Sequence, residues 1–288
     1  MQLDVNGVRL FVEVVEGISK AANAKDIVVI HGGPDWDHSY LRSACLPLAQ
    51  LGRLIFFDLR GCGKSSSPKE AAAYHMDELV KDLIGLLDHF NIAKAILLGY
   101  SFGGRVALRT NYLQGDRVKA LVLASSTAYE DFYGELEQLS LYKERMVSLQ
   151  VGLEEIKKST TLTAAEKART LAIESLPIDV FDLEKIAAVK ETITSVNFSG
   201  SWTKLWLSSE LPKVNHPDYG ESLRKTDTPL LIVHGEKDLR FPSSVAKRLA
   251  GTVRHAKFVT LPEAGHLVAL EKPKNWCAEI MQFCEKII

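Results

Sequence analysis

The stretch Gly99-Tyr100-Ser101-Phe102-Gly103-Gly104 decides how this sequence folds and where its chemistry lies. The aliphatic run Ala95–Leu98 before it is typical of a buried strand, and a helical pattern, Phe102–Leu113, follows directly. A serine at so sharp a strand-to-helix turn projects its hydroxyl away from the sheet, and side chains at positions 99 and 103 would collide with the neighbouring strand or helix. We therefore expect Ser101 to be a nucleophile. A glycine-rich turn with an incidental serine is the alternative for this stretch taken alone.

Two later loops supply the partners that a serine nucleophile needs. The hydroxyl requires a base, and the base requires an orienting acid, expected in the chain order acid then histidine. The run Leu230–Val233 leads to Asp238, and the run Lys257–Thr260 leads to His266. Because the carboxyl ends of parallel strands meet at one edge of a sheet, both side chains are expected beside Ser101. The sequence thus predicts a catalytic triad, the alternative being a turn carboxylate and a surface histidine.

Two other carboxylates compete for the role of the acid. Glu236 lies closer to the end of its strand, and Glu263 lies near the histidine. We favour Asp238 because the acid needs a longer loop to reach back toward the imidazole, and Glu236 remains the alternative. His31 and His234 each follow a buried strand directly, and we interpret both as hydrogen-bonding residues that structure their loops.

The sequence also offers two backbone donors for a developing oxyanion. One is the N–H of Phe102, because the free amides and the positive dipole end of the following helix face the reacting centre. The other is expected from the loop after the run Asp26–Ile30, which reads His31-Gly32-Gly33-Pro34. Gly33 has no Cβ to obstruct a substrate carbonyl, and Pro34 fixes the exit of the chain. A plain tight turn is the alternative for this loop.

Strands and helices alternate along most of the chain. Continuous aliphatic runs are typical of strands that are covered on both faces in a parallel sheet. Besides a short stretch before Gly7, the predicted strands are Val8–Val15, Asp26–Ile30, Arg53–Phe57, Ala95–Leu98, Ala120–Leu123, Leu230–Val233 and Lys257–Thr260. Helical patterns cover His38–Leu51, Met76–Phe90, Phe102–Leu113 and a last helix opened by Pro273. This alternation predicts an α/β fold with a doubly wound, mostly parallel sheet.

The alternation breaks between Thr127 and Lys225. This stretch has no clear strand and is too long to be a loop. Thr163-Ala164-Ala165-Glu166 is a capping-box signature, and Asp182 is placed to cap a helix over Leu183–Ile193. We predict helices over residues 127–225, called the helical insertion below. The core is then formed by residues 1–126 and 226–288.

Composition excludes several classes of protein. Lys plus Arg is 35 and Asp plus Glu is 36, and this balance argues against a nucleic-acid partner, which would require a basic surplus. We expect no membrane association, because no apolar run approaches the roughly 20 residues that cross a bilayer, and no secretory signal. Four cysteines without a C-x-x-C pattern indicate free thiols in a reducing, cytoplasmic compartment. The sequence has no H-x-x-H or H-E-x-x-H pattern, so we expect no metal site.

The stretch Gly61-Cys62-Gly63-Lys64-Ser65 invites a phosphate-binding interpretation. A Walker A motif would require glycine at position 58, where this chain has Asp58, and the following serines and proline break any helix. We therefore expect no nucleotide role. Asp58, Gly61 and Gly63 are expected to shape a tight loop that borders the site, with Arg60 held by carboxylates.

Taken together, these motifs resemble the α/β-hydrolase superfamily, and His31-Gly32-Gly33-Pro34 with the loop 58–65 is most similar to its proline iminopeptidase-like group. The resemblance implies an eight-stranded sheet, Ser101 as nucleophile, His266 as base, Asp238 as orienting acid, and the helical insertion as a lid. It also implies that the N–H groups of Gly33 and Phe102 hold the oxyanion. The chain departs from the iminopeptidases where they usually carry glycine and tryptophan, at Asp35 and Phe102.

Substrate choice is expected to lie in the helical insertion and in the loop after Pro34. The pocket candidates are Asp35, Trp36, Trp202 and Trp206, although packing of helices onto the core explains most aromatic residues there equally well. An iminopeptidase needs acidic groups to hold a substrate ammonium. The sequence offers Glu130, Asp131, Glu135 and Glu137, and solvated helix faces are their alternative.

We therefore expect a cofactor-free serine hydrolase of small carboxylic esters, lactones or amides that works through an acyl-enzyme. Its substrate is expected to be a small molecule or a short peptide, and the sequence predicts no particular oligomeric state. A proline iminopeptidase-type aminopeptidase is the first alternative. A lyase or a hydrolase of carbon–carbon bonds, and a ligand receptor on the same scaffold, are the others.

Overall fold

The computed structural model describes residues 1–18 and 24–287, and one eight-stranded sheet forms its centre. The strands are β1 (Gln2–Val5), β2 (Val8–Val15), β3 (Lys25–Ile30), β4 (Gly52–Phe57), β5 (Ala95–Tyr100), β6 (Val118–Ala124), β7 (Leu230–Gly235) and β8 (Lys257–Leu261). Their order across the sheet is β1-β2-β4-β3-β5-β6-β7-β8. The pairs β1–β2 and β2–β4 are antiparallel, and the other neighbouring pairs are parallel. The predicted mostly parallel, eight-stranded sheet is confirmed.

Both faces of the central strands β3 to β7 are covered, which explains why these strands lack polar alternation. On β3, Ile27 and Val29 belong to one apolar core, whereas Val28 and Ile30 belong to a second core on the opposite face. Helices α1 (Ser39–Cys45), α2 (Met76–His89) and α3 (Phe102–Gln114) divide between these faces. The first helix packs into the core of Ile27, and the other two pack into the core of Val28. Helices therefore cover both faces of the sheet, which is the predicted doubly wound arrangement.

The predicted helix His38–Leu51 is wrong in its second half. Helix α1 ends at Cys45, and Leu46–Gln50 forms a 3₁₀ helix instead. The physical reason is Pro47, which has no N–H to donate and whose ring would clash with the carbonyl one turn earlier in an α-helix.

The chain between β6 and β7 consists of helices and connecting loops without a strand in the described residues. The helices are α4 (Tyr133–Leu136), α5 (Ser140–Lys158), α6 (Ala164–Glu174), α7 (Leu176–Asp179), α8 (Ile186–Thr194), α9 (Ser201–Leu207) and α10 (Tyr219–Thr226), the last of which ends one residue beyond the predicted insertion. The predicted capping box opens α6, because Thr163 Oγ1 accepts from the N–H of Glu166 and the Glu166 carboxylate accepts from that of Thr163.

Asp182 caps a different element from the one predicted. Its carboxylate accepts from the N–H of Glu184 at 3.1 Å and heads the 3₁₀ turn Leu183–Lys185. Helix α8 then starts only at Ile186, so the predicted start at Leu183 is wrong by one turn. The tighter turn satisfies the first amides before the α-helical ladder is established.

Three further helices complete the molecule: α11 (Ser243–Thr252), α12 (Val268–Glu271) and α13 (Pro273–Glu285). Pro273 opens the last one, as predicted, and Trp276 is fully buried against the sheet. The four cysteines are buried free thiols whose pKa values burial raises, so they are packing groups rather than nucleophiles. In the part of the chain that the structure describes, no helix is both long and apolar enough to span a bilayer.

Candidate active site

Ser101 occupies the turn between β5 and α3 with strained backbone angles, φ 51° and ψ −117°. The turn requires the strand and the helix to approach closely. A Cβ on Gly99 would lie 2.5 Å from the carbonyl oxygen of Gly103, and a Cβ on Gly103 would lie 2.1 Å from that of Ile30. The predicted collisions at both positions are confirmed, and they explain why only glycine fits there.

The side chains of Ser101, His266 and Asp238 form a continuous chain of hydrogen bonds. His266 Nε2 lies 3.0 Å from Ser101 Oγ, and His266 Nδ1 lies 2.9 Å from Asp238 Oδ2. The three residues come from the loops after β5, β8 and β7, which end at the same edge of the sheet. The imidazole can accept the serine proton at Nε2 while it donates from Nδ1 to the carboxylate. The structure thus brings the three predicted residues together in a geometry suited to nucleophilic catalysis.

The Asp238 carboxylate is fully enclosed by donors. Its Oδ1 accepts from the backbone N–H groups of Arg240, at 2.7 Å, and Phe241, at 2.9 Å. Its Oδ2 is shared by His266 and by a second imidazole, that of His234, whose Nε2 lies 3.1 Å away. Burial opposes the charge, but the interactions with His266 and His234 hold the pKa of Asp238 well below its usual range. The acid is therefore ionised at neutral pH.

The two competing carboxylates lie elsewhere. Glu236 is a partly exposed side chain that pairs with Lys237 at 2.8 Å. Glu263 is 77% exposed, and its nearest cation is Lys272 at 3.8 Å. The structure therefore places Asp238, and neither glutamate, against the imidazole of His266.

The two expected oxyanion donors border the serine. Gly33 adopts φ 116°, in the region that favours glycine, and it lines the same cavity as Ser101. Phe102 is the first residue of α3, so its N–H has no intrahelical acceptor. The loop before Gly33 is fixed by His31, whose Nε2 accepts from the N–H of Leu59 at 3.0 Å. Burial lowers the pKa of His31, and its hydrogen bond to Leu59 fits the predicted role of a residue that structures its loop.

The serine and the histidine open into a cavity of about 530 Å³, a volume typical of small-molecule sites. Helices of the helical insertion form much of its wall. Its apolar lining includes Trp36, Phe132, Tyr142, Met146, Leu171 and Trp206. An apolar wall beside a polar reacting centre is suited to an uncharged acyl group.

Of the four pocket candidates, Trp36 and Trp206 line this cavity, whereas Asp35 and Trp202 do not. The buried carboxylate of Asp35 accepts from the backbone N–H of Trp202 at 3.0 Å and from that of Thr203 at 2.6 Å. It thereby satisfies the free amides at the start of α9. The indole N–H of Trp202 donates to the carbonyl of Arg60 at 2.9 Å. Both residues bind the helical insertion to the core instead of meeting a substrate.

An ion pair inside the cavity was not predicted from the sequence. Arg240 Nε lies 2.5 Å from Asp179 Oδ1, and its terminal nitrogen lies 3.0 Å from Oδ2, so the guanidinium engages both carboxylate oxygens. Asp179 belongs to α7 of the helical insertion, and Arg240 follows Asp238 by two residues. Among the described residues, Asp179 is the one acidic side chain that lines the cavity. No local sequence signal marks this pair, because its members are 61 residues apart.

The acidic residues that the sequence offered lie outside this cavity. Glu130 pairs with Arg105 at 2.8 Å, and Asp131 pairs with Arg248 at 2.9 Å. Glu135 is bonded to the hydroxyl of Ser244. Together with Glu137, these residues are absent from the described cavity lining. Of the four, only Glu135 lies in a helix, α4, so the interpretation as helix faces is wrong for the other three.

The loop that carries His266 is held by two buried groups. The hydroxyl of Tyr100 donates to the carbonyl of His266 at 2.5 Å. The Glu271 carboxylate accepts from the N–H of Gly265 at 2.7 Å on one oxygen and from that of Phe181 at 2.9 Å on the other. Burial raises the pKa of Glu271, although these backbone amides lower it. One carboxylate therefore joins the histidine loop to the helical insertion.

The loop after β4 is a structural element of this edge. Asp58 accepts from the backbone N–H of Lys64 at 2.9 Å and lies 2.7 Å from His38 Nδ1. Arg60 forms a two-point ion pair with Asp82, at 2.7 and 2.5 Å. The expectation that Arg60 is held by a carboxylate is confirmed. In the described residues, no group of three or more His, Cys, Asp or Glu side chains is arranged to hold a metal ion.

Comparison with known proteins agrees with this architecture. A family model described as alpha/beta hydrolase fold matches residues 26–273, most of the chain. The chain belongs to the alpha/beta hydrolase fold family. Membership confirms the family predicted from the sequence motifs.

Relatives of this alpha/beta hydrolase differ in the activities that they are named for. A proline iminopeptidase of Saccharolobus solfataricus is 24% identical over 276 residues, which cover 91% of this chain and 86% of the relative. An esterase of Thermogutta terrifontis superposes with a TM-score of 0.74 at 23% identity, covering 100% of this chain and 99% of the other. A meta-cleavage product hydrolase of Pseudomonas fluorescens superposes with a TM-score of 0.72 at 21% identity, covering 99% and 97%. At these identities the structural likeness establishes the fold.

Proposed function

We propose that this protein is a serine hydrolase of small carboxylic esters, lactones or amides, with Ser101, His266 and Asp238 as its catalytic triad. The observation that carries the proposal is the hydrogen-bonded chain from Asp238 through His266 to Ser101 at the floor of an apolar cavity. The substrate is a small molecule, in keeping with the cavity volume of about 530 Å³. The buried free thiols support a reducing, cytoplasmic setting.

In the proposed reaction, Ser101 Oγ attacks the carbonyl carbon while His266 Nε2 takes its proton. The ionised Asp238 stabilises the imidazolium that forms. The N–H groups of Gly33 and Phe102 hold the oxyanion, and each such donor contributes about 3 kcal/mol in comparable sites. The imidazolium then protonates the leaving group, and His266 activates the water that hydrolyses the acyl-enzyme.

The ion pair in the cavity favours an ester, lactone or simple amide over the aminopeptidase alternative. A substrate ammonium needs a free carboxylate, and Asp179 is the one described acidic side chain of the lining. Both of its oxygens are occupied by the Arg240 guanidinium. An N-terminal substrate would have to displace this two-point contact. The iminopeptidase relatives nevertheless keep that activity as the second candidate.

A matched substrate panel tests the proposal. Hydrolysis of p-nitrophenyl propionate and of a small lactone should exceed that of alanine and proline p-nitroanilides in kcat/KM, and the propionate ester should exceed the alanine p-nitrophenyl ester. Ser101→Ala should lower turnover of every accepted substrate at least about 10³-fold, because it removes the nucleophile. The exposed Ser148→Ala on α5 is the matched control and should retain full activity.

Four results would overturn parts of this proposal. Undiminished turnover by purified Ser101→Ala would remove the nucleophile assignment. A clear preference for the anilides would establish the aminopeptidase alternative. Turnover without an acyl-serine adduct in quenched mass spectrometry would favour lyase or carbon–carbon bond chemistry, and tight ligand binding without multiple turnovers would favour a receptor.

A further inference from the structure

A second imidazole contacts the orienting acid. His234 is the fifth residue of β7, and its side chain is fully buried. Its Nε2 lies 3.1 Å from Asp238 Oδ2 and 2.7 Å from the carbonyl oxygen of Phe241. The same Oδ2 accepts from His266 Nδ1 at 2.9 Å. Two histidines therefore lie within 3.1 Å of one carboxylate oxygen, and the proposed mechanism uses only one of them.

The surroundings of His234 select its tautomer. Both acceptors face Nε2, so the proton must reside on that nitrogen for either contact to be attractive. Within residues 1–18 and 24–287, Nδ1 is buried without a hydrogen-bond partner. An unpartnered buried nitrogen costs stability, and a leucine at this strand position would avoid that cost.

We propose that His234 is a positioning residue that weakens the pull of Asp238 on His266, so that the base stays neutral at a lower pH than it otherwise would. This inference rests on the triad of the proposed function. The Nε2–H of His234 donates to the carbonyl of Phe241 and lies 3.1 Å from Oδ2, where its positive end draws charge from the oxygen that stabilises the His266 imidazolium. Without that donor, the carboxylate would hold the His266 proton more strongly, and the base would become available only at higher pH.

The remaining charged and polar groups around this pair are already engaged. The Arg240 guanidinium is bound by Asp179, and the Tyr100 hydroxyl donates to the carbonyl of His266. The Glu271 carboxylate accepts backbone amides on the far side of the histidine loop. His234 is therefore the side chain, besides His266, that contacts Asp238 and can be changed without removing an ion pair.

The test measures the pH dependence of Ser101 reactivity in His234→Leu and His234→Gln. The readouts are the second-order rate of labelling by a fluorophosphonate probe and kcat/KM for p-nitrophenyl propionate. In His234→Leu the acid limb of both profiles should move upward by about 0.5 to 1 pH unit. In His234→Gln, whose side-chain amide restores an N–H group beside Oδ2, the limb should stay within about 0.3 unit of the parent. A merely structural role would lower the rates without moving the limb.

Matched variants keep the outcome decisive. His255→Leu removes another imidazole that contacts a backbone carbonyl, that of Thr228 at 2.9 Å, away from the triad, and its profile should not move. If His234→Leu does not fold, His234→Asn, too short to reach Oδ2, takes its place and should show the same upward shift. Superimposable profiles for Leu, Asn and parent would overturn the inference while leaving the triad intact. Probe labelling that persists in Ser101→Ala would instead overturn the proposed function itself.

Discussion

Gly103 is a residue at which the backbone of the site leaves no room for a side chain. Its neighbour Ser101 holds a positive φ, and the turn tolerates this strain because α3 lies directly against the end of β3. A side chain at position 103 would enter the carbonyl of Ile30, which cannot retreat while β3 pairs with strands on both sides. The position of Ser101 therefore depends on the absence of a Cβ atom at residue 103.

Gly103→Ala should lower the free energy of unfolding by about 2 kcal/mol or more, because the new Cβ would sit 2.1 Å from a fixed carbonyl oxygen. Ester hydrolysis should fall by at least about tenfold in the same variant, since the turn carrying Ser101 must shift. Urea unfolding and steady-state kinetics measure the two effects.

Gly152→Ala is the control, because this helical glycine of α5 has no atom within 4 Å of the added Cβ. It should raise the free energy of unfolding by about 0.5 to 1 kcal/mol through helix propensity. Effects of the same sign in both variants would contradict the steric explanation.

The loop after β3 acts as an anchor between two elements. Asp35 accepts the first amides of α9, and Asp37 Oδ2 accepts the N–H of Asn197 at 3.1 Å. The same loop presents Gly33 to the cavity. The stretch that offers an oxyanion donor therefore also ties the helical insertion to the core.

Asp35→Ala should destabilise this junction by about 2 to 3 kcal/mol, because the amides of α9 lose a buried, charged acceptor. Backbone hydrogen exchange over residues 201–207 should accelerate more than exchange in the strands. The surface variant Asp131→Ala is the control. Its pair with Arg248 is exposed, so we expect a change below about 0.5 kcal/mol. Unchanged exchange in α9 would show that Asp35 is not its anchor.

Across the whole molecule, one buried cluster links stability to pH. Burial opposes the charge of His38, but its hydrogen bond and charge interaction with Asp58 raise the pKa of the imidazole above 6.5. The same contact holds the pKa of Asp58 below its ordinary 3.8 against the effect of burial. The His38 contribution is complete below its unfolded pKa and is lost as pH rises through the folded value. The Asp58 contribution is present above its unfolded pKa and is lost as pH falls through the folded one.

The free energy of unfolding should therefore depend on His38 most strongly between the two unfolded values, 3.8 and 6.5. His38→Asn should be destabilised relative to the parent at about pH 6, and the gap should narrow toward about pH 9, where the parent imidazole is neutral. Urea unfolding at both pH values measures this gap. A gap that widens as pH rises would contradict the raised pKa of His38.

How much of this molecule follows from its sequence depends on the range of the interaction. Strands could be predicted because burial on both faces leaves a local aliphatic run, as in Asp26–Ile30. The loops of Asp238 and His266 could be placed because parallel strands end together. The ends of helices depend on single residues. Pro47 lies in a 3₁₀ helix where the sequence pattern predicted the second half of an α-helix.

Contacts across the helical insertion could not be derived in the same way. Asp35 meets the amide of Trp202, 167 residues away, and Asp179 meets Arg240, 61 residues away. A carboxylate next to a tryptophan in the sequence indicates a pocket as readily as an anchor. The partner of such a side chain is fixed only when the helices have packed.

The Glu271 carboxylate links the entry of substrate to the position of the catalytic base. One of its oxygens accepts from the N–H of Gly265, next to the base, and the other accepts from the N–H of Phe181, in the helical insertion. Moving the helical insertion away from the core at this contact displaces the same carboxylate that holds the loop of His266. Entry of a substrate and positioning of the catalytic base therefore depend on one contact, and a molecule opened at this point has a less well positioned base.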